Sequence, residues 1–545
     1  MNDPNTLPES ETVATSSEHS PLFWLLCFLL PPVLLLAILA GSAFYLITDW
    51  YDIDEPECDS VVECAERGAV TRLSRRLEWG ADPNERNKDG LFALMAAAQN
   101  GHAPCITTLL EAEAETEVRD KEGRTPLMLA AESGRLRCVK ALLQGGARAD
   151  AQTEDGRTAL MLAVQNGKVK CARALIEGGA DIHLRKTETK GTALMLAAEK
   201  GNAECVRLLL QAGADTEAET TKGVTALMIA VRNNHADAVR ALLEGGAHAE
   251  KRLKEFDCNA LMFAAMNGHA DCIRVLLEKG ADAEEWGPQG LNALMLAAMS
   301  NQGDAVRALL EGGAQTEAQT SSGTTALMLA AGSGRDNAVR ALLAGGAYAE
   351  ARDPQGGTAL MQAAVGNHPT CVTALIQGGA DAEAQNTEGV TALMAAAGAG
   401  QTESLKALLQ GGASTETQDK TGRRALMFAA IGGSADCVIA LLQGGADINA
   451  QQQEGLTALM MAVGKERTDC VSVLLSCGAQ TEVRMKNGWT ALMFAAYSGH
   501  TECLSRLIQA GADVNAKAEN LSVLQIAESR HHEDCARFLR AAGAK

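Results

Sequence analysis

The sequence predicts an all-α fold: a solenoid of helix-turn-helix repeats with hairpin fingers, preceded by one N-terminal transmembrane helix. Two observations lead to this prediction, a motif that recurs at a fixed spacing and an uncharged apolar segment near the N-terminus. A period of about 33 residues is typical of one supersecondary unit stacked many times, each burying its apolar face against its neighbours. The motif is Ala/Pro-Leu-Met, and its thirteen methionines are Met95, Met128, Met161, Met195, Met228, Met262, Met295, Met328, Met361, Met394, Met427, Met460 and Met493.

The apolar segment, residues 22–47, has 26 consecutive residues without a charge, and about 20 suffice to cross a bilayer as a helix. Aromatic residues flank it, as at membrane interfaces. A cleaved signal peptide is one alternative, but no basic residue precedes the segment and the apolar run is too long for one. A buried soluble helix is another, but it would lack a partner. We therefore expect residues 1–20 to be an acidic disordered tail, residues 21–48 a transmembrane helix and residues 49–56 an acidic linker.

The charge distribution bears on topology and on partners. The first 59 residues contain ten acids and no Lys or Arg, and the remaining −10 of the net charge of −20 is spread over the repeats. The basic residues nearest to the membrane segment, Arg67 and Arg72, lie on its C-terminal side, so the positive-inside rule favours a single-pass protein with cytoplasmic repeats. No basic stripe of the kind that binds nucleic acid is present in the sequence.

Each repeat has helix start and stop signals. The residue before Ala-Leu-Met is Thr in nine repeats and Asn in two, and both residue types cap free N–H groups at a helix start. Phe92 and Arg424 break the pattern. Six residues after each methionine stands Gly or Asn, except at Glu466, and these residues adopt left-handed backbone conformations most easily. A second helix follows and ends at another glycine, which Glu113 replaces once.

A polar stretch of about ten residues, such as 214–223, follows each second helix and predicts an extended hairpin finger. Together these segments resemble the ankyrin repeat, and Arg124-Thr-Pro-Leu-Met-Leu-Ala-Ala131 and Gly499-His500 are the nearest local matches. The resemblance covers residues 57–545, with residues 57–89 as an N-terminal cap repeat and residues 520–545 as a C-terminal cap repeat. The family's usual His in the first helix is Met throughout, which replaces a polar group by a flexible apolar one.

The repeated cysteines could indicate a metal site, but packing in the core explains them better. Ten cysteines occupy one position of the second helix, five of them in His-x-x-Cys, which resembles half of a metal site. Ala or Ser fills the same position elsewhere, so we expect a small buried residue there, and we predict no metal and no cofactor. Cys58 and Cys64 are the one nearby pair outside this pattern. Many free thiols suit a reducing compartment. Finger acids such as Glu217, Glu219 and Glu317 are interpreted as a solvated face.

Irregular fingers are the candidate partner site. The finger at 248–257 has one extra residue and carries Lys251, Arg252, Lys254 and Phe256. Trp286 lies in the next finger, and Tyr348 replaces a common Asp farther along. Aromatic and arginine side chains at a surface are the usual binding anchors, although packing of these rings onto neighbouring fingers is an alternative.

We therefore expect a membrane-tethered scaffold that binds one or more proteins through its fingers and its concave helix face. The bilayer is contacted by residues 22–47, and we expect no nucleic acid and no small-molecule substrate. An enzyme is not predicted, because phosphate-binding loops, nucleophile elbows and zinc signatures are missing from the sequence. A mechanical or spacing element without a specific partner is an alternative, as is an enzyme with an unrecognised active site.

Overall fold

A computed structural model describes residues 56–545, which divide into two compact units. Unit one comprises residues 56–154 and 177–180, and unit two comprises residues 155–176 and 181–545. The predicted acidic tail, the transmembrane helix and almost all of the linker fall on residues 1–55, outside the described part. Within residues 56–545 no helix is both long enough and apolar enough to cross a bilayer.

The described residues form short helices in pairs, as the repeat predicts. The first six are α1 (Val61–Arg67), α2 (Val70–Glu78), α3 (Ala93–Asn100), α4 (Ala103–Glu111), α5 (Pro126–Glu132) and α6 (Leu136–Gln144). The next twelve are α7 (Ala159–Gln165), α8 (Val169–Glu177), α9 (Ala193–Glu199), α10 (Ala203–Gln211), α11 (Ala226–Arg232), α12 (Ala236–Glu244), α13 (Ala260–Asn267), α14 (Ala270–Glu278), α15 (Ala293–Met299), α16 (Gly303–Glu311), α17 (Ala326–Gly332) and α18 (Asp336–Ala344).

The remaining elements complete unit two. The helices are α19 (Ala359–Val365), α20 (Pro369–Gln377), α21 (Ala392–Ala399), α22 (Thr402–Gln410), α23 (Ala425–Gly432), α24 (Ala435–Gln443), α25 (Ala458–Gly464), α26 (Thr468–Ser476), α27 (Ala491–Ser498), α28 (Thr501–Gln509), α29 (Val523–Ser529) and α30 (Glu533–Ala541). The fingers contain little regular strand: β1 (Lys517–Ala518) pairs antiparallel with β2 (Leu521–Ser522), and a 3-10 turn spans Pro288–Gly290.

The predicted caps start the first helices. In ten repeats the Thr or Asn side chain accepts the N–H of the repeated methionine, three residues on. Each such bond satisfies one of the free donors of a helix start. Thr490 is the exception, because its buried hydroxyl makes no hydrogen bond in the described structure. Phe92 and Arg424 likewise provide no side-chain cap, as their residue types predict.

The predicted turns are confirmed by the backbone. Every residue six positions after a repeated methionine has a positive φ, including Glu466 at 54°. Glu113, which stands where other second helices end at glycine, also has a positive φ, of 61°. The repeat geometry therefore imposes the left-handed conformation even where the residue type does not favour it.

The core is a set of layers formed by consecutive repeats. In unit two each first helix packs against the first helix of the next repeat, and from α10 on each second helix packs against the next second helix. The repeated methionines are buried, most of them at 2% exposure or less. Methionine therefore packs where the family usually has histidine, and no buried imidazole has to be satisfied.

The N-terminal repeat carries a cross-link that the sequence pattern had not predicted. A disulfide joins Cys58 to Cys64, and it ties the residues before α1 to the helix itself. Arg76 of α2 donates to the carbonyl oxygen of Cys58 at 2.9 Å. The start of the array is thus held by one covalent bond and by hydrogen bonds, among them that of Arg67 to the carbonyl oxygen of Glu57 at 2.6 Å.

Candidate partner-binding surface

Two fingers of unit two have one residue more than the ordinary ten-residue finger. We call residues 181–191 the Thr189 finger and residues 248–258 the Phe256 finger. In the ordinary finger at 215–224, the N–H of Thr220 bonds to the carbonyl of Val224 at 3.0 Å. In the Phe256 finger the same bond joins Leu253 to Cys258 at 2.9 Å, so four residues instead of three form the tip.

The fingers of unit two are joined tip to tip, except at the last junction, where Glu519 makes no such bond, and in one internal region. A backbone N–H at each tip donates to a carbonyl of the preceding tip at 2.9–3.3 Å in six places: 187 to 155, 221 to 189, 387 to 355, 420 to 388, 453 to 421 and 486 to 454. At the four equivalent positions between residues 221 and 387, which are 254, 288, 321 and 354, no such bond is formed within unit two. Pro288 and Pro354 have no N–H to donate, and Lys254 and Ser321 do not make it. We call these four junctions the tip gap.

A cavity opens at the first junction of the tip gap. It has a volume of about 260 Å³ and lies between the ordinary finger at 215–224 and the Phe256 finger. Its lining includes the apolar side chains of Val224, Met228, Phe256 and Phe263. Met228 is 8% exposed, the highest value among the thirteen repeated methionines. Where the tip bond is missing and the tip has four residues, solvent can therefore reach side chains of the first helices.

Lys251, a predicted partner-binding residue, is partly buried and engaged with the preceding finger. Its ammonium contacts the carboxylates of Glu219 at 2.8 Å and Glu217 at 3.2 Å, both on the preceding finger. Desolvation opposes the charge of Lys251, but the hydrogen bonds that Lys251 donates to the two glutamates prevail and raise its pKa. The hydrogen bond from Lys251 in turn lowers the pKa of Glu219. This side chain therefore fixes the spacing of two fingers.

Arg252 also holds neighbouring fingers together. Its guanidinium pairs with Asp257 of its own finger and with Glu285 of the next, and it donates to the carbonyl of Trp286. Arginines at the same finger position donate in the same way to the next finger: Arg185 to Glu219, Arg352 to Gln385 and Arg484 to Lys517. The carbonyl contact of Arg252 is thus a repeated structural feature rather than a local peculiarity.

The other four predicted residues are open to solvent. Lys254 is exposed, and Phe256, Trp286 and Tyr348 are exposed by 54%, 41% and 61%. Phe256 lines the cavity, and Trp286 contacts Arg252 through its carbonyl. Tyr348 lies three fingers beyond Phe256 and does not line this cavity. All three rings belong to fingers that bound the tip gap, and their role in binding stays a prediction.

The finger carboxylates form hydrogen bonds to the backbone of the next finger. Glu217, Glu317, Glu383 and Glu416 each accept the backbone N–H of the residue 31 positions later, at 2.7–3.0 Å. A carboxylate that accepts an N–H from the next repeat links the two repeats. The interpretation of these acids as a merely solvated face was therefore incomplete, because a 31-residue pairing becomes visible only when the fingers are stacked.

The repeated cysteines lie in the core. All ten are buried, and burial raises the pKa of the Cys205 thiol to about 11 and that of Cys272 to about 12. Such thiols are protonated at neutral pH and are poor nucleophiles. Four of the five histidines of His-x-x-Cys bond to backbone carbonyls of the preceding repeat, as His269 does to Val231 at 2.7 Å and His368 to Gly332 at 3.1 Å. Within residues 56–545 no group of His, Cys, Asp and Glu is arranged to hold a metal.

Of the ten residues that line the cavity, sequence reasoning named only Phe256 as a site residue, and Lys222, Arg232 and Phe263 are among the nine that it missed. A signal was available for Arg232. The residue four positions after each repeated methionine is basic only here, in a series that runs Gln99, Glu132, Gln165, Glu199, Arg232, Met266, Met299, Gly332, Val365, Gly398, Ile431, Gly464 and Tyr497. The cavity itself could not be inferred, because it depends on the missing tip bond.

Comparisons with known proteins agree with this architecture. A sequence model of ankyrin repeats, three copies long, matches the chain in overlapping segments that extend from residue 61 to residue 545. Among solved structures the chain is similar to the human ASB11 ankyrin repeat domain, with 28% identity and a TM-score of 0.36, over 40% of this chain and 96% of that one. No curated protein sequence matches. Since the family match extends over nearly all of the described residues, the chain belongs to the ankyrin repeat family.

Proposed function

We propose that the protein is a membrane-tethered scaffold that binds a partner protein through its fingers and the concave face of its first helices. Ankyrin repeats in general are protein–protein interaction modules rather than enzymes. One observation in this chain carries the proposal: the exposed rings of Phe256, Trp286 and Tyr348 lie in fingers that bound the tip gap. Exposed aromatic side chains beside an accessible pocket are the usual anchors of protein interfaces.

Site-specific photo-crosslinking tests the partner site. A benzoylphenylalanine at position 256 replaces one aromatic ring by another, and the same residue at position 189 is a matched control on the Thr189 finger. In cells that express the full chain, position 256 should form discrete protein adducts that position 189 does not form. Identical adduct patterns at both positions, or none at position 256, would contradict the proposal.

We further propose that residues 21–48 anchor the chain and that the repeats lie in the cytoplasm. Anchoring would raise the effective concentration of the scaffold toward partners at the same membrane. The 26 uncharged residues at 22–47 support the anchor, and the many free buried thiols support a reducing compartment. The Cys58–Cys64 disulfide is the observation that stands against the cytoplasmic side, because disulfides persist in oxidising compartments.

Cys477 provides the topology test. It is exposed, whereas the other free cysteines within residues 56–545 are buried. A membrane-impermeant maleimide should label the full chain only after the plasma membrane is permeabilised, and a Cys477→Ser variant should lose that labelling. Labelling of Cys477 at the surface of intact cells would place the repeats outside and refute the cytoplasmic assignment. Extraction of the chain from membranes by alkaline carbonate would refute the anchor.

A further inference from the structure

We propose that the cavity beside Phe256 receives one large apolar side chain from a linear segment of the partner protein, and that a carboxylate one or two residues away in that segment pairs with Arg232 and Lys222. This inference rests on the proposed function and specifies the chemistry of the partner. It goes beyond the predicted site because Arg232 and Lys222 were not among its residues.

The size and lining of the cavity favour a single side chain. Its volume of about 260 Å³ is slightly below the range of about 300 to 1,000 Å³ that is typical of small-molecule pockets. Val224, Met228, Phe256 and Phe263 provide apolar walls from two fingers and two first helices. An apolar side chain that enters would cover part of the Phe256 ring, which is 54% exposed in the free chain. Burial of both apolar surfaces would stabilise the complex.

The charges at the cavity favour an acidic residue next to the inserted apolar side chain of the partner segment. Lys222 and Arg232 both line it, and neither makes an ion pair or a side-chain hydrogen bond among the described residues. Glu255 also lines the cavity, so the lining keeps a net charge of +1. Lys254, exposed at the same tip, adds a further positive charge. A carboxylate beside the inserted side chain would satisfy these cations, whereas a basic residue would be repelled.

The positive charge is local to this junction. Tip positions equivalent to Lys222 in the other ordinary fingers of unit two hold no basic residue: they are Asp155, Gln289, Ser322, Gln355, Glu388, Thr421, Glu454 and Asn487. Arg232 is likewise the one basic residue of its helix position. In a chain of net charge −20, two unpaired cations that converge on one apolar cavity define a site for an acidic and apolar segment.

Selection from a random peptide library tests this inference with defined probes. The full chain is immobilised in lipid nanodiscs and used to select displayed peptides. The enriched peptides should carry Leu, Ile, Phe, Tyr or Trp with Asp or Glu within two positions. Phe256→Thr, which copies the Thr189 finger, should reduce capture of the selected peptides at least tenfold. Arg232→Glu should reduce it at least tenfold and shift a fresh selection toward Lys and Arg.

Lys190→Glu is the matched control, because it makes the same change of charge at the exposed tip of the Thr189 finger and should leave capture unchanged. Circular dichroism of each variant establishes that the helices are retained. Enriched peptides without an acidic preference would overturn the inference, as would no enrichment over empty nanodiscs or selection that Arg232→Glu leaves unaltered. If position 256 still crosslinks a cellular protein, only this inference fails and the proposed function stands. If position 256 crosslinks nothing, the proposed function fails.

Discussion

The Thr189 finger and the Phe256 finger share a backbone but differ in what they expose. Both have one residue more than an ordinary finger, and their turns close with equivalent bonds, from Lys186 to Gly191 and from Leu253 to Cys258, both at 2.9 Å. The third residue of the four-residue tip is Thr189 in one and Phe256 in the other. The N–H of Thr187 also donates to the preceding tip, whereas Lys254 makes no such bond within unit two.

The difference shows where specificity is located in a repeat protein. The turn geometry, the helix cap and the arginine contact to the next finger recur in both repeats and are required by stacking. The tip side chains and the tip bond differ, as does Lys251 where the Thr189 finger has Leu184, and the cavity of about 260 Å³ lies at the Phe256 tip. Substitutions in the shared elements should therefore affect the two repeats alike, and substitutions at the tips should affect them differently.

The largest expected effect concerns a shared element, the first-helix core. Leu194→Ala and Leu261→Ala each remove an equivalent leucine that is 1% exposed. Each variant should lose about 2 to 5 kcal/mol of stability, because a cavity forms in addition to the lost transfer free energy. Urea unfolding followed by circular dichroism measures both losses. Losses that differ by more than about 1.5 kcal/mol would show that the two cores are not equivalent.

The second expected effect separates the fingers. Phe256→Thr should weaken binding of a crosslinked partner about 30-fold, which corresponds to the loss of about 2 kcal/mol at a hot spot. The reciprocal Thr189→Phe should change the affinity less than about twofold, because the tip bond from Thr187 to Asp155 leaves the equivalent junction closed. Fluorescence anisotropy with the purified partner measures both constants. Equal effects at positions 189 and 256 would mean that exposure of a ring, and not the cavity, determines binding.

The third expected effect concerns the caps. Thr192→Ala and Asn259→Ala each remove a bond to the repeated methionine N–H, at 3.3 Å and 2.9 Å, and should cost about 1 kcal/mol each. Asn259→Ala should cost more, because its amide also donates to Glu250 at 2.8 Å and the carboxylate would lose this partner. Thermal unfolding of the two variants gives the comparison. A larger loss for Thr192→Ala would contradict the role assigned to the Glu250 contact.

Sequence periodicity was sufficient for the fold because the repeat is local. The caps and the first left-handed turns involve residues within six positions of each methionine, so residue type predicted most of them. Thr490, which does not cap, and Glu466, which has a positive φ, depart from the pattern. Apart from the Cys58–Cys64 disulfide, the contacts between fingers that escaped prediction join residues 31 to 34 positions apart, such as Glu217 to His248 and Arg252 to Glu285. They depend on the distance between stacked fingers, which no pattern within a single repeat contains.

The same limit applies to the candidate site. The extra residue and the unusual side chains identified the Phe256 finger correctly as irregular, but residue type could not separate internal from available charges. Lys251 and Arg252 are engaged with acids of adjacent fingers, whereas Lys222 and Arg232, from a different finger and helix, line the cavity. The residues of one finger therefore show that the finger is irregular. Which of its charged side chains are paired becomes clear only when the neighbouring fingers are stacked against it.

The smallest expected effect concerns the pH dependence of the Lys251 contact. Lys251→Leu copies Leu184, the equivalent residue of the Thr189 finger, and removes the ion pairs with Glu219 and Glu217. Its effect on stability at pH 7 should be smaller than that of either cap variant, because the pair is largely solvated.

The hydrogen bond from Lys251 lowers the pKa of Glu219 from its ordinary value of 4.5, so the contact stabilises the fold above that value and loses its effect as the pH falls through the lowered pKa. The difference in melting temperature between the wild type and Lys251→Leu should therefore shrink between pH 6 and pH 3, while Lys190→Glu serves as a charge control on the other finger. A difference that grows on acidification would reverse the sign of this linkage and would show that desolvation of Lys251, rather than its pairing with Glu219, dominates the contact.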